Sequence, residues 1–289
     1  MAIIEAVVVC VNYADFLAWT LPASRNQFNR MVVVTTPDDD ATRRLCETYE
    51  VECVQTDAFT AGGDVFAKAK GINEGLKRLT KRGWVVHMDA DIYLPPKTRR
   101  IIDNLPLDPK KIYGCDRLMC PSAQEFARYL DAPTPIQEGW IFVHPTVFPV
   151  GVRLAQYMEP GGGYVPIGYW QMWNPEGSGV QSYPETHGTA ARTDFQFATS
   201  WPRENRELLP EVVTIHLESA PGMALNWNGR TTPPFQVGAE PVAAIAPATP
   251  PLPAATSRRH RYGQPWLLLF LLDLWNRLLR RLSFRRRES

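Results

Sequence analysis

Residues 84–95 read WVVHMDADIYLP. The stretch from Trp84 to Met88 is an apolar, β-branched run that predicts a strand. It ends in two carboxylates, Asp89 and Asp91, and then in a hydrophobic–proline turn. In an extended chain, side chains two residues apart point to the same side, so Asp89 and Asp91 converge. Two carboxylates held together repel unless a cation joins them. Hard divalent ions such as Mg²⁺ or Mn²⁺ take oxygen ligands and bridge diphosphates. An Asp-x-Asp tripeptide alone is more often a solvent-facing loop pair than a site, so its surroundings decide.

Those surroundings repeat. Residues 6–11 (AVVVCV), 31–35 (MVVVT) and 51–55 (VECVQ) are three earlier strand candidates. Between them lie segments of helical composition at 14–29, 38–49 and 64–82. The last places Val65, Ala69, Ile72, Leu76 and Leu79 on one helical face, with Asp64 as the expected N-cap and Gly83 as the stop. Strands alternating with helices predict crossover units and a parallel sheet covered on both faces. In such sheets ligands bind in the crevice beyond the carboxyl ends of the strands, where Asp89 and Asp91 fall. A metal there would neutralise a diphosphate leaving group.

The remainder is less regular. From 106 to 190, Pro, Gly and aromatic residues dominate, a composition of loops that carry binding. EVVTIHLES at 211–219 predicts a late strand. Residues 231–256 hold seven Pro and seven Ala and predict a linker. The tail alternates arginines with leucines at helical spacing, predicting a basic amphipathic helix within 257–289. Its uninterrupted apolar run, Trp266 to Leu272, is too short to span a bilayer. Residues 257–289 contain nine Lys/Arg against two acids, which leaves 22 bases and 28 acids for the rest. An acidic body does not indicate a broad nucleic-acid surface, whereas the tail suits an anionic membrane surface along 265–287. Five cysteines without metal-ligand spacing predict buried, reduced thiols and a cytoplasmic protein, peripheral at the inner face of the membrane if the tail attaches. The opening MAIIEAVVVCVNY carries Glu5 early and reads as a strand, not a signal peptide.

Over roughly residues 5–230 the chain resembles the GT-A fold glycosyltransferases, family 2-like members especially. The resemblance rests on Asn12-Tyr13 after the first strand, TTPD at 35–38, FAKAKGINEGL at 66–76, DAD at 89–91, TDFQFA at 193–198 and IHLES at 215–219. It implies an α/β fold of GT-A (Rossmann-like) type, with a mostly parallel sheet flanked by helices. A catalytic domain at 1–230 would divide into a nucleotide-binding half (about 1–105) and an acceptor half (106–230). The linker (231–256) and the helix (257–289) would follow. It implies a nucleotide-sugar donor, such as a UDP-sugar, and an acceptor hydroxyl. Asn12, Tyr13 and Asp38 match the base and ribose contacts. Lys68 and Asn73 match donor contacts from the helix before the motif strand. Asp89, Asp91 and His216 match the ligands of Mn²⁺ or Mg²⁺, and Asp194 stands where many members place their catalytic base.

Each residue also has a plainer reading. A strand histidine such as His216 is commonly a core residue, and Asp194 is also an expected helix N-cap. Glu185 and Glu138 are rival bases. Tyr164, Tyr169, Trp170 and Trp173 divide between packing and an acceptor groove. Gly161-Gly162-Gly163 lacks a phosphate-loop context. Asn226-Trp227-Asn228-Gly229-Arg230 is either a surface turn or a loop that brings Arg230 to the diphosphate as counter-charge. Two other functions share this architecture. A nucleotidylyltransferase ordinarily opens with a Gly-rich basic loop, in whose place VNYADFLAW stands. A non-catalytic sugar-nucleotide-binding module is at odds with three intact carboxylates. The acceptor stays open between a lipid-linked or membrane-near glycan, a hydroxymethylated DNA base, a protein and a small molecule.

Overall fold

The computed structural model describes residues 2–120, 122–131, 133, 164–218 and 226–237. All belong to the first of two compact units, Met1–Ala244. The second unit, Ile245–Ser289, with the predicted tail helix, lies outside the described residues, as do 238–256 of the predicted linker, Glu138 and Gly161–Gly163.

The first third of the chain alternates as the sequence predicts. It runs β1 (Ile4–Val9), α1 (Ala14–Ser24), β2 (Arg30–Thr35), α2 (Asp40–Thr48), β3 (Glu52–Gln55), α3 (Lys68–Leu76) and β4 (Trp84–Asp89). These four strands pair in parallel, in the order β3–β2–β1–β4. Their side chains alternate between two cores. Ala6, Val8, Val33 and Val86 face α1 and α2, whereas Val7, Val9, Val34 and Val85 face α3. Full burial of each valine contributes about 1.5–3 kcal/mol. Helix α3 lies close on the sheet because of two glycines one turn apart. A Cβ on Gly75 would sit 2.7 Å from side-chain carbons of Val7 and Val34, and one on Gly71 would strike the Phe59 ring.

Helix α3 is shorter than its periodicity suggests. The helix begins only at Lys68, with Ala67 as its N-cap, and the backbone N–H groups of Val65 and Phe66 both donate to Gly188. Asp64 pairs with Lys70 at 2.6 Å instead, and Val65 is exposed. At the other end buried Glu5 accepts from the N–H groups of Thr80 and Lys81, which ends the helix well before Gly83.

Among the described residues, the part of the chain after β4 holds more regular elements than its composition implies. It supplies β5 (Ile92–Tyr93), α4 (Thr98–Asp103), β6 (Ile112–Cys120), α5 (Ala123–Asp131), β7 (Trp170–Trp173), α6 (Pro175–Ser178), α7 (Thr193–Ala198) and β8 (Arg206–Leu217). Among the described residues the eight strands form one mixed sheet, β3–β2–β1–β4–β7–β6–β8–β5. Strand β7 runs antiparallel to β4 and β6, β8 runs parallel to β6, and β5 runs antiparallel to β8. Pro210 lies in β8 where the β6–β8 register shifts, a bulge that tolerates its missing N–H. The result is the expected α/β sheet flanked by helices. Four of its five cysteines are buried and all five are free. Among the described residues no helix is long and apolar enough to cross a membrane.

Candidate functional site

A cleft opens at the carboxyl ends of β1 and β4. Val9, Val11 and Tyr13 line it from the first strand, Phe66 and Lys68 from the entrance to α3, and Asp89, Ala90 and Asp91 from the motif. Ala190, Asn226, Gly229 and Arg230 close it from the far side. Apolar side chains thus form one region and charged groups another, within one crevice.

The motif's backbone is pinned on three sides. The Asp89 N–H donates to Tyr169, the Ala90 carbonyl accepts from buried Thr20 (2.7 Å), and the Asp91 carbonyl accepts from Leu217 on β8. Both carboxylates are therefore presented to the cleft by a fixed turn. Lys68, the first residue of α3, forms an ion pair with Asp89. Burial works against the Lys68 ammonium, but Asp89, with Asp194 and Asp91 nearby, outweighs it and raises its pKa. Burial pushes the Asp89 carboxyl above its usual range. Lys68 opposes this and the neighbouring Asp91 reinforces it. Beneath the pair lies His87, part of the motif strand but given no role by the sequence. It is fully buried, has neither ring nitrogen hydrogen-bonded among the described residues, and stands 3.8 Å from Asp89. Burial, with Lys68 nearby, holds its pKa well below the usual range, so it is neutral.

Asp91 is paired differently. Its Oδ2 is 3.3 Å from His216 Nε2, which β8 brings alongside through the Ile92–His216 register. Burial raises the Asp91 carboxyl, and His216, Lys68 and Arg117 together outweigh it, leaving it below the usual range. Among the described residues Asp91 Oδ1 is buried without a hydrogen-bond partner. An ionised carboxylate oxygen left in that state fits a cation. Among the described residues no group of three or more His, Cys, Asp or Glu side chains is set to hold a metal ion. An ion bound here would therefore draw donors from its ligand, as Mg²⁺-type sites with one or two carboxylates and substrate phosphates do. His216 fits that role less directly than Asp91. Arg117, buried in β6 with its guanidinium 4.4 Å from the Tyr169 ring, lies 3.0 Å from His216 Nδ1. A guanidinium can only donate, so Nδ1 accepts and Nε2 carries the hydrogen that faces Asp91. In this conformation His216 orients Asp91, and it offers Nε2 to a metal only once Arg117 releases Nδ1.

The other predicted residues scatter. Tyr13 lines the cleft, its hydroxyl 3.0 Å from Thr232 Oγ1. Asn12 contributes backbone: at φ 57° its N–H donates to Asp39. Asp38 is solvent-exposed, its carboxyl lowered by a hydrogen bond from Thr36. Its neighbour Asp39 is the structured acid. It is buried, caps α2 through Thr42, and accepts from Thr35 and Asn12, so it ties the ends of β1 and β2 together. The Asp-x-x-Thr spacing at 39–42 signals this cap. Asn73 is buried and grips both backbone groups of Tyr183 and the Glu185 carboxylate (2.7 Å), so it serves the 183–185 loop and does not line the cleft.

Asp194 is the second residue of α7, whose N-cap is Arg192 at φ 63°. It is not the cap expected. Its Oδ2 accepts from the Gly168 N–H at 2.7 Å, and its charge acts on Lys68. Tyr164, Tyr169, Trp170 and Trp173 are all buried, which settles them as packing. Arg230 reaches the cleft, but its five N–H groups are engaged by Asn12, Asp15 (twice), Thr232 and Pro233, so it is not a free counter-charge.

No protein-family model matches the chain, and no curated protein does. Solved structures resemble it at low identity. A glucosyl-3-phosphoglycerate synthase from Mycobacterium tuberculosis, in complex with Mn²⁺, UDP-glucose and phosphoglyceric acid, is 11% identical over 74% of this chain and 72% of that one, with a TM-score of 0.40. The inositol-1-phosphate CTP transferase of T. maritima is 11% identical over 75% and 86%, with a TM-score of 0.41. A mannosyl-3-phosphoglycerate synthase from Rubrobacter xylanophilus is 17% identical over 43% and 42%, with a TM-score of 0.32. At TM-scores of this size the likeness assigns no function.

Proposed function

We propose that the chain is a metal-dependent glycosyltransferase of GT-A type that moves a sugar from a nucleotide-sugar donor, such as a UDP-sugar, to an acceptor hydroxyl. One observation carries the reading. Two carboxylates and an ammonium line a cleft at the carboxyl ends of parallel strands, an imidazole backs one of the carboxylates, and among the described residues one carboxylate oxygen is buried without a partner. The apolar part, walled by Val9, Val11, Tyr13 and Phe66, suits a nucleoside. The charged part suits its diphosphate.

Asp91 would hold a Mn²⁺ or Mg²⁺ ion, with Asp89 beside it and His216 joining after its Arg117 contact breaks. When bound, the ion neutralises the departing nucleoside diphosphate. Lys68 exchanges Asp89 for a phosphate oxygen and keeps that charge compensated. Neutral His87 stands below Asp89 and can donate to it when Lys68 moves away. Asp194, held by the Gly168 N–H through Oδ2, is the base that accepts the acceptor's proton.

Release of nucleoside diphosphate from a panel of UDP-, GDP- and CDP-sugars, with Mn²⁺ or with EDTA, tests the reading. Metal-dependent release from one donor class is expected. Pyrophosphate released from a nucleoside triphosphate and a sugar phosphate would mean nucleotidyl transfer instead. No binding of any nucleotide would remove both.

A further inference from the structure

We propose that residues 226–237 form a strap that walls the donor cleft, and that Asp15 is the positioning residue that sets donor affinity by holding this strap. The proposal rests on the reading of the cleft as a nucleotide site.

Asp15 lies in the first turn of α1, outside the motif and outside the cleft lining. Its carboxylate is spent on the strap. Oδ1 accepts from Arg230 (2.6 Å), and Oδ2 accepts from Arg230 (2.7 Å) and from the Phe235 N–H (2.6 Å). A bidentate guanidinium–carboxylate pair adds geometric specificity to its charge. Arg230 also donates to the Asn12, Thr232 and Pro233 carbonyls, which folds 230–233 around one guanidinium. That guanidinium lies 4.8 Å from the centre of the Tyr13 ring and 5.4 Å from that of Phe16. Phe235 is buried, stacked on Phe16 at 4.8 Å and edge-on to Trp19.

The other end of the strap is tied to the opposite rim. Ala190 donates its N–H to the Trp227 carbonyl (2.8 Å), and Asn226 closes the turn by accepting from Thr231. Between these anchors Asn226, Gly229 and Arg230 face the cleft beside Tyr13. The strap crosses the cleft from the α7 rim to α1, and composition alone had placed its last residues in a linker. Without Asp15, Arg230 loses its counter-charge and Phe235 loses its N–H acceptor, so the strap docks a smaller fraction of the time. Apparent donor affinity falls by that fraction.

Asp15→Asn and Arg230→Met, singly and together, test this by calorimetry with UDP and Mn²⁺, initial rates, and hydrogen exchange of 226–237. If the docked fraction drops to a tenth, the UDP Kd and the donor KM rise about tenfold, while for Asp15→Asn, which lies outside the cleft lining, kcat at saturating donor stays within about twofold. Exchange should rise in 226–237 and not in β1 or β4. The double variant should match the worse single one, because both act through one contact. Unchanged UDP affinity with raised exchange in the strap overturns the proposal alone. So does raised exchange throughout the sheet, which would mean general destabilisation. If the unaltered chain binds no nucleotide, the donor reading fails first and this one with it.

Discussion

Asp91→Asn separates a metal ligand from a structural acid. The amide fills the same volume, so packing is unchanged. The substitution weakens the 3.3 Å contact with His216, and it also removes the charge that pushes Asp89 upward. The lost charged hydrogen bond and the relieved repulsion are each of order 1–2 kcal/mol, so net stability changes by less than about 1 kcal/mol. For a chain of this size that moves Tm by about 2–4 °C at most. The ligand response should change far more. UDP and Mn²⁺ at a hundred times their Kd stabilise the unaltered chain by about 2.7 kcal/mol, or roughly 5–10 °C. If loss of the carboxylate weakens binding about a hundredfold, the same ligand adds only about 0.4 kcal/mol, near 1 °C. Turnover should fall about a thousandfold, the equivalent of about 4 kcal/mol of lost charge stabilisation. Thermal melting with and without UDP and Mn²⁺, beside product release, measures both. A variant that melts about 10 °C lower without ligand would make Asp91 structural. One that keeps its ligand shift and turnover would end the metal role.

Asp194→Asn should lower kcat about 10²–10³-fold and leave the UDP Kd unchanged, since an amide still accepts from Gly168 but cannot take a proton; an unchanged kcat moves the base to Glu185. Lys68→Met leaves Asp89 without its cation. Because the two side chains are 16% and 29% exposed, the loss should be about 2 kcal/mol, below the range for fully buried pairs, and Mn²⁺ should restore part of it; an unchanged Tm refutes the pairing. Asp89 has a raised folded pKa, so its contribution to stability is present below its unfolded value and is lost as pH rises through the folded one. The ligand-free chain is strained by this charge at neutral pH, and metal binding needs the charge. The UDP–Mn²⁺ melting shift should therefore grow as pH rises above the ordinary carboxylate range, and a pH-independent shift would show that Asp89 takes no part. Deletion of 257–289 should spare donor hydrolysis and abolish salt-sensitive co-sedimentation with anionic vesicles; equal sedimentation of both forms would refute the membrane reading.

Local order made the first half of this chain legible. Four short β-branched runs separated by helical segments specify parallel crossover units, because burial on both faces leaves few other arrangements. Asp89 and Asp91 could be placed at the end of the fourth strand from that alternation alone. His216 could be placed on a late strand by the same means. The second half was not legible in this way. Strand β6 carries Gly114, Asp116 and Arg117 in its middle, and β7 is the four residues WQMW; neither has a period long enough to read. Their partners decide them: β8, about a hundred residues away, and β4, which accepts β7 antiparallel along its edge.

The site divides in the same manner. Composition and spacing nominate side chains, but a carboxylate's role depends on which donors reach it, and those come from distant segments. The Asp-x-x-Thr spacing marks Asp39 as the cap of α2, but nothing near it in sequence says that Asn12, from the end of β1, would donate to it as well. Residues 64–67 continue the helical pattern but lie before the helix, and the N–H groups of Val65 and Phe66 go to Gly188, more than 120 residues on. Arg230, free to serve a diphosphate as far as the sequence can tell, is consumed by Asp15 from 215 residues earlier. Periodicity is a property of neighbours along the chain and can be read from it. Hydrogen-bond satisfaction is a property of neighbours in space, and here only the folded sheet decided which groups were spent and which, like Asp91 Oδ1, were left over.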